Sequence, residues 1–164
     1  MNKKVALYGI YISLAFIFSY LENIYSLNIG VPGIKLGLAN LVVLVALYTE
    51  KNIKAPILIS VVRIVLAGFI FSSLYSIIYS IVGAVLSLVT MIALKKINIF
   101  SIKGISMAGG IMHNVGQIIV AIIMFETKSL MYYLPILIIA GMICGVINGI
   151  VASLVIPRIK KEIE

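Results

Sequence analysis

His113, Asn114 and Gln117 stand within the stretch GGIMHNVGQ, residues 109–117, and the sequence on either side is almost wholly apolar. His113 is the only histidine of the chain. Hydrogen-bonding side chains in such a setting cannot face lipid, where an unsatisfied polar group is costly. On a helix advancing about 100° per residue, with His113 at 0°, Ser106 falls at about 20°, Gln117 at about 40° and Gly110 at about 60°. Ala121 follows at about 80° and Asn114 at about 100°. The polar and small residues therefore share one wedge, which must face other helices or a polar cavity. Interhelical hydrogen bonding explains such a wedge, and so does a ligand site.

Arg63 is the second anomaly. It lies near the middle of PILISVVRIVLAGFIF, with Ser60 and Ala67 on its helical face. An arginine at that depth costs several kcal/mol unless paired or hydrated. The chain has no Asp, and its five Glu residues, at 22, 50, 126, 162 and 164, fall near the ends of apolar runs. No intramembrane carboxylate is thus expected beside Arg63. Backbone carbonyls, the His113–Gln117 wedge or an anionic ligand remain as its partners. A third polar group occurs in NIGVPGIKLGLAN, where Pro32-Gly33 marks a turn, Lys35 opens a helix, and Gly37 and Asn40 share another face. This segment is either a lid over an outward-facing pocket or a plain turn with a snorkelling lysine. Glu22, at the end of the first apolar run, is placed to pair with Lys35.

These residues are carried by elements whose nature follows from composition. The chain is 63% hydrophobic and 11% charged over 164 residues, with mean hydropathy +1.23. One soluble core of this size cannot hide so much apolar surface. A bilayer core of about 30 Å needs roughly 20 apolar residues per helix. Six runs answer to that pattern: 5–21, 34–48, 55–71, 74–94, 104–125 and 131–156. They are continuous rather than alternating, which excludes a transmembrane barrel. The expected fold is an all-α integral membrane protein, one domain formed by a compact bundle of about six transmembrane helices. Lys3 and Lys4 before the first run resemble the start of a signal peptide, but FSYLENIY offers no small-x-small cleavage site. A retained first helix is expected.

The net charge of +8 is distributed by topology. With the N-terminus inside, Lys3, Lys4, Lys51, Lys54, Lys95, Lys96, Lys103, Arg158, Lys160 and Lys161 all fall on cytoplasmic segments, leaving Lys35, Arg63 and Lys128. Such asymmetry follows the positive-inside rule. Both termini are expected in the cytoplasm of a multi-pass cell-membrane protein. The basic residues meet membrane lipid headgroups, and no nucleic acid is implied.

Packing signals complete the picture. Gly141, Gly145, Gly149 and Ser153 recur every four residues, a small-residue stripe that suits either a dimer or close packing within the bundle. Gly9/Ser13 and Ala15/Ser19 form weaker versions in the first run. Tyr11, Tyr20, Tyr25, Tyr132 and Tyr133 suit an interfacial belt. The single Cys144 suits a small packing position. No glycine-rich phosphate loop occurs, so ATP hydrolysis by this chain is not expected. One His, one Cys and no Asp cannot build a metal cluster or an aspartate-rich diphosphate site. No catalytic residue, metal or cofactor is therefore expected, and the chain is not expected to be an enzyme.

At VPGIKLGLANLV, at Arg63 and at GISMAGGIMHNVGQIIVA the sequence resembles the membrane proteins known as the Gx transporter family, also called heptaprenyl diphosphate synthase component I. The resemblance extends over essentially the whole chain. The two names imply different roles. The synthase name implies a non-catalytic partner of a prenyl-chain-lengthening subunit. The transporter name implies similarity to S components of energy-coupling factor transporters. Those are six-helix proteins that bind vitamins or related small molecules from outside, with the first loop as a lid. They dock, through small residues of the first helix, on a separate membrane coupling subunit driven by two ATPases. In the transporter reading Arg63, His113, Asn114, Gln117, Lys35 and Asn40 would bind the ligand. Gly9/Ser13 or Ala15/Ser19 would stand where the family of S components uses an alanine pair. The transporter role is the expectation carried forward; a synthase component and a scaffold in a membrane complex are its alternatives.

Overall fold

The computed structural model describes residues 2–26, 37–71 and 74–163. These form six α-helices: α1 Asn2–Ser26, α2 Leu38–Thr49, α3 Lys54–Phe71, α4 Leu74–Ile97, α5 Ile102–Phe125 and α6 Leu134–Ile163. A 3-10 segment, Lys128–Tyr133, leads into α6. The all-helical bundle expected from continuous apolar runs is what the chain adopts. Among the described residues, α1, α3, α4, α5 and α6 are long and apolar enough to cross a membrane. Their outward faces carry Val5, Phe69, Ile123 and Leu154, all strongly exposed, as helices solvated by lipid require.

The second helix departs from expectation. The apolar run 34–48 predicts a full helical span, whereas α2 has only 12 residues, about 18 Å at 1.5 Å per residue, and is too short to cross a bilayer as a helix by itself. It is buried almost all round: Ala39 and every residue from Leu41 to Leu47 are shielded. Uniform apolarity without a polar face is what an interior helix needs. Around it stand Tyr11 and Ala15 of α1, Ile59 of α3, Leu88 and Met91 of α4, Ile105 of α5, and Ala152 and Ile156 of α6. Tyr11, expected in an interfacial belt, is instead only 4% exposed, and its hydroxyl is 2.8 Å from the Thr49 hydroxyl. Lys95 closes the far end of α2. Its ammonium donates to the Leu47 carbonyl and sits 4.8 Å from the centre of the Tyr48 ring, satisfying a carbonyl of the helix C-terminus where a cation is favoured.

The other three helices pack by backbone contact. A Cβ at Gly141 would lie 2.7 Å from the Gly110 carbonyl oxygen, and one at Gly145 would lie 2.7 Å from Met107 Cα. At Gly149 it would meet Lys103 Cα at 2.7 Å. The glycine stripe of the last helix is therefore spent on α5, inside the bundle. On the opposite side of α5, Gly116 meets Gly83 of α4 in the same manner, with 2.8 Å between an added Cβ and Gly83 Cα. Small residues at both crossings let the helix axes approach and give van der Waals packing where lipid supplies no hydrophobic drive. Ser101 starts α5 by accepting a hydrogen bond from the Gly104 N–H at 3.2 Å.

Candidate functional site: a buried polar cavity

The N-terminus of α2 ends inside the bundle. The start of α2 lies level with the middle of α6: the Asn148 amide donates to the Gly37 carbonyl at 3.0 Å. Gly37 adopts φ 72°, ψ 22°, a left-handed conformation that glycine enters freely. Its carbonyl also accepts the Asn40 and Leu41 amides, at 2.9 and 3.1 Å. The first amide of the helix, that of Leu38, donates to Glu22 Oε1. A carboxylate at this point satisfies an orphan donor and meets the positive end of the helix dipole. Backbone that ends at such depth is tolerated only inside protein or beside a cavity.

Beside it lies a cavity of about 90 Å³ lined by residues of all six helices, room for several water-sized groups. Arg63 lies on one wall and is 8% exposed. Its guanidinium donates to Asn40 Oδ1 at 2.7 Å and, more weakly, to the Ser19 hydroxyl at 3.4 Å. Ser19 in turn donates to the Ala15 carbonyl at 2.9 Å. Arg63 Nε is buried with no acceptor among the described residues. Glu22, 6% exposed, lines the same cavity and acts electrostatically on Arg63. Across the cavity stand His113, Asn114 and Gln117 of α5, with Ser106 below them and Ser80 and Ser87 on α4. Asn114 turns its amide group to the Leu137 carbonyl of α6, 2.7 Å away. Asn23 reaches the Phe71 carbonyl at 3.3 Å, where the Phe71 ring also lies against Phe16 and Tyr20.

The structure thus brings Arg63, Asn40, His113, Asn114 and Gln117 to one cavity. Lys35 and Pro32-Gly33 lie outside the described residues. The expectation that Arg63 would lack a carboxylate neighbour is corrected. Glu22 is four residues from the end of α1, but α1 runs to Ser26 and α2 starts only at the depth of Glu22, so the carboxylate is interior. Its pairing with Lys35 likewise falls outside what is described; its observed partner is the α2 N-terminus. Ala15 and Ser19 are buried and face inward, so they are internal contacts and not an outward docking pair. Gly9 and Ser13 do face outward, beside exposed Ile10, Leu14 and Ile17 in a shallow groove. Cys144 lines the cavity instead of merely filling the bundle. Asn148 went unnoticed in sequence, although its position three residues after Gly145 in an otherwise apolar helix is a signal of the same kind as Asn114.

The chain belongs to the family described as heptaprenyl diphosphate synthase component I, whose family model matches residues 11–155. No curated protein and no solved structure matches it.

Proposed function

From that membership and from the cavity, we propose that this chain is the membrane-embedded binding subunit of a small-molecule transporter, similar to the S components of energy-coupling factor transporters. Separate ATPase subunits, acting through a coupling membrane protein, would energise it. The carrying observation is a buried cavity, lined from every helix by polar side chains, in which Arg63 Nε has no protein acceptor among the described residues. Buried donors in native structures are nearly always satisfied, and a bound molecule or water supplies the missing acceptor here. Arg63, Asn40, His113, Asn114, Gln117 and Glu22 are the residues assigned to that binding. The chain is non-catalytic in this reading and sits in the cell membrane with both termini in the cytoplasm, following the placement of its lysines and arginines. Native mass spectrometry of the protein purified from membranes is the test: a bound small molecule and associated ATPase subunits are expected.

The family description favours a second reading, a non-catalytic membrane component of a heptaprenyl diphosphate synthase. Here the partner is a prenyl-chain-lengthening subunit. A change in product length or rate when this chain is added to the purified synthase, with no ATPase partner present, would falsify the transporter reading.

A further inference from the structure

Resting on the reading of the cavity as a ligand site, we infer that its ligand is slender and unbranched, an acyclic chain with polar atoms along its length that lies parallel to the helices. On α4 the cavity is lined by Ser76, Ser80, Ser87 and Met91. With Ser76 at 0°, Ser80 falls at about 40° and Ser87 at about 20°, so the three hydroxyls share one face of the helix. On α5 the lining runs from Ser106 through His113 to Gln117, and these too fall within about 40° of one another. The two files run side by side in opposite directions. An added Cβ on Gly83 of α4 would meet Gln117 Cγ at 3.1 Å, and one on Gly109 of α5 would meet Ser87 Oγ at 3.2 Å. At 1.5 Å per residue the α5 file is about 16 Å long, and the α4 lining from Ser76 to Met91 about 22 Å.

The cavity is therefore tall and thin. Divided over about 16 Å of height, its 90 Å³ leaves a mean cross-section of about 6 Å² for the centre of a water-sized group. Allowing about 1.4 Å around such a centre gives a passage about 5.5 Å across. Non-bonded atoms in contact sit about 3.5–4 Å apart, so a chain one atom thick passes, and a six-membered ring, about 7 Å across by the same distances, does not. Hydroxyl, imidazole and carboxamide groups along the two files offer hydrogen bonds at several heights, which an ether, amide or hydroxylated chain answers in series. A hydrocarbon chain fits the width and answers none of them.

The test uses two probes of one chemistry and different shape in thermal unfolding of the purified protein in maltoside detergent. Triethylene glycol dimethyl ether carries its ether oxygens in an open chain, and the cyclic tetramer of ethylene oxide carries the same number in a ring. The open ether should raise the unfolding midpoint at concentrations about tenfold below those the ring needs. Equal effects, a preference for the ring, or no effect of either overturns the inference.

Two variants locate the effect. Ser80→Val puts a bulkier apolar group partway along the α4 file and should remove the response to the open ether. Ser80→Ala with Ser87→Ala removes two hydroxyls without narrowing the passage, and should raise the concentration required by about tenfold. A response undiminished in either variant places the ether elsewhere on the protein and overturns the inference. Failure of this inference is distinct from failure of the transporter reading. A protein that leaves the membrane with a ring-shaped small molecule in the cavity keeps the ligand site and loses the slender chain. One that prefers the open ether as stated, yet brings no ATPase subunits with it, loses the transporter reading and keeps the chain.

Discussion

The two halves of the bundle are held together by different means. In α4, α5 and α6 the helices touch backbone to backbone, with Gly83 on Gly116 and Gly110 on Gly141. In α1, α2 and α3 the contacts at cavity depth are polar side chains: Glu22 on the α2 amide, Arg63 on Asn40 and Ser19, Asn23 on the Phe71 carbonyl. Backbone contact leaves no side-chain rotamer to adjust, so the first half is a fixed wall. Hydrogen bonds between side chains can be exchanged for others of equal strength, so the second half can answer a ligand without losing its packing. The cavity lies between them.

The sharpest way to break this comparison is to crowd the fixed wall. A Cβ at Gly110 would lie 2.4 Å from the Gly141 carbonyl oxygen, which is backbone and cannot rotate away. Gly110→Ala should cost roughly 3 kcal/mol, at the upper end for overpacking, and appear as a large drop in the midpoint of thermal unfolding in detergent. An unchanged midpoint would mean that α5 and α6 part easily, and the contrast between the halves would be lost.

The polar half should respond less to a single deletion. Asn40→Ala removes the 2.7 Å acceptor of the Arg63 guanidinium, and a hydrogen bond to a charged group is worth about 1.5–3 kcal/mol. Because the cavity lets water reach that guanidinium group, the lower end is expected for stability, with a clearer loss in retention of any co-purified small molecule. Asn148→Ala removes the bond that ties the fixed wall to the start of α2. A neutral hydrogen bond contributes about 1 kcal/mol, and hydrogen exchange at the Leu38 and Ala39 amides should rise more than exchange elsewhere in α2.

Much of this was legible in the sequence, and the limits have physical causes. Continuous apolar runs fixed the helix class, and the angular wedge on α5 located one wall of the cavity because helical geometry converts spacing into a face. Arg63 announced itself by cost alone. The shortness of α2 was not legible: LANLVVLVALYT is as apolar as any span, and only its ends tell that it is interior. The interior position of Glu22 is hidden in the sequence for the same reason. Its depth depends on where α2 begins, a relation between two helices that no window of sequence contains. The choice between dimer and internal packing for Gly141, Gly145 and Gly149 was open in sequence because a small-residue stripe has the same form in both; the partner face on α5 decided it.

The smallest effect on stability should come from the outward face of α1. Gly9 has no atom within 4 Å of an added Cβ, and it lies in the shallow groove with Ser13, Ile10 and Leu14. A substitution that touches nothing in the folded chain usually stays within about 0.5 kcal/mol, and replacing a helical glycine is mildly favourable by propensity. Gly9→Leu should therefore leave the unfolding midpoint of the isolated protein nearly unchanged. Its consequence for function is separate from its consequence for folding. If a coupling membrane subunit seats against α1, the leucine fills the groove, and recovery of ATPase subunits with the purified chain should fall while retention of the bound small molecule stays the same. Loss of the small molecule together with the partner would place the effect inside the bundle, and full recovery of both would remove this face of α1 from the docking surface.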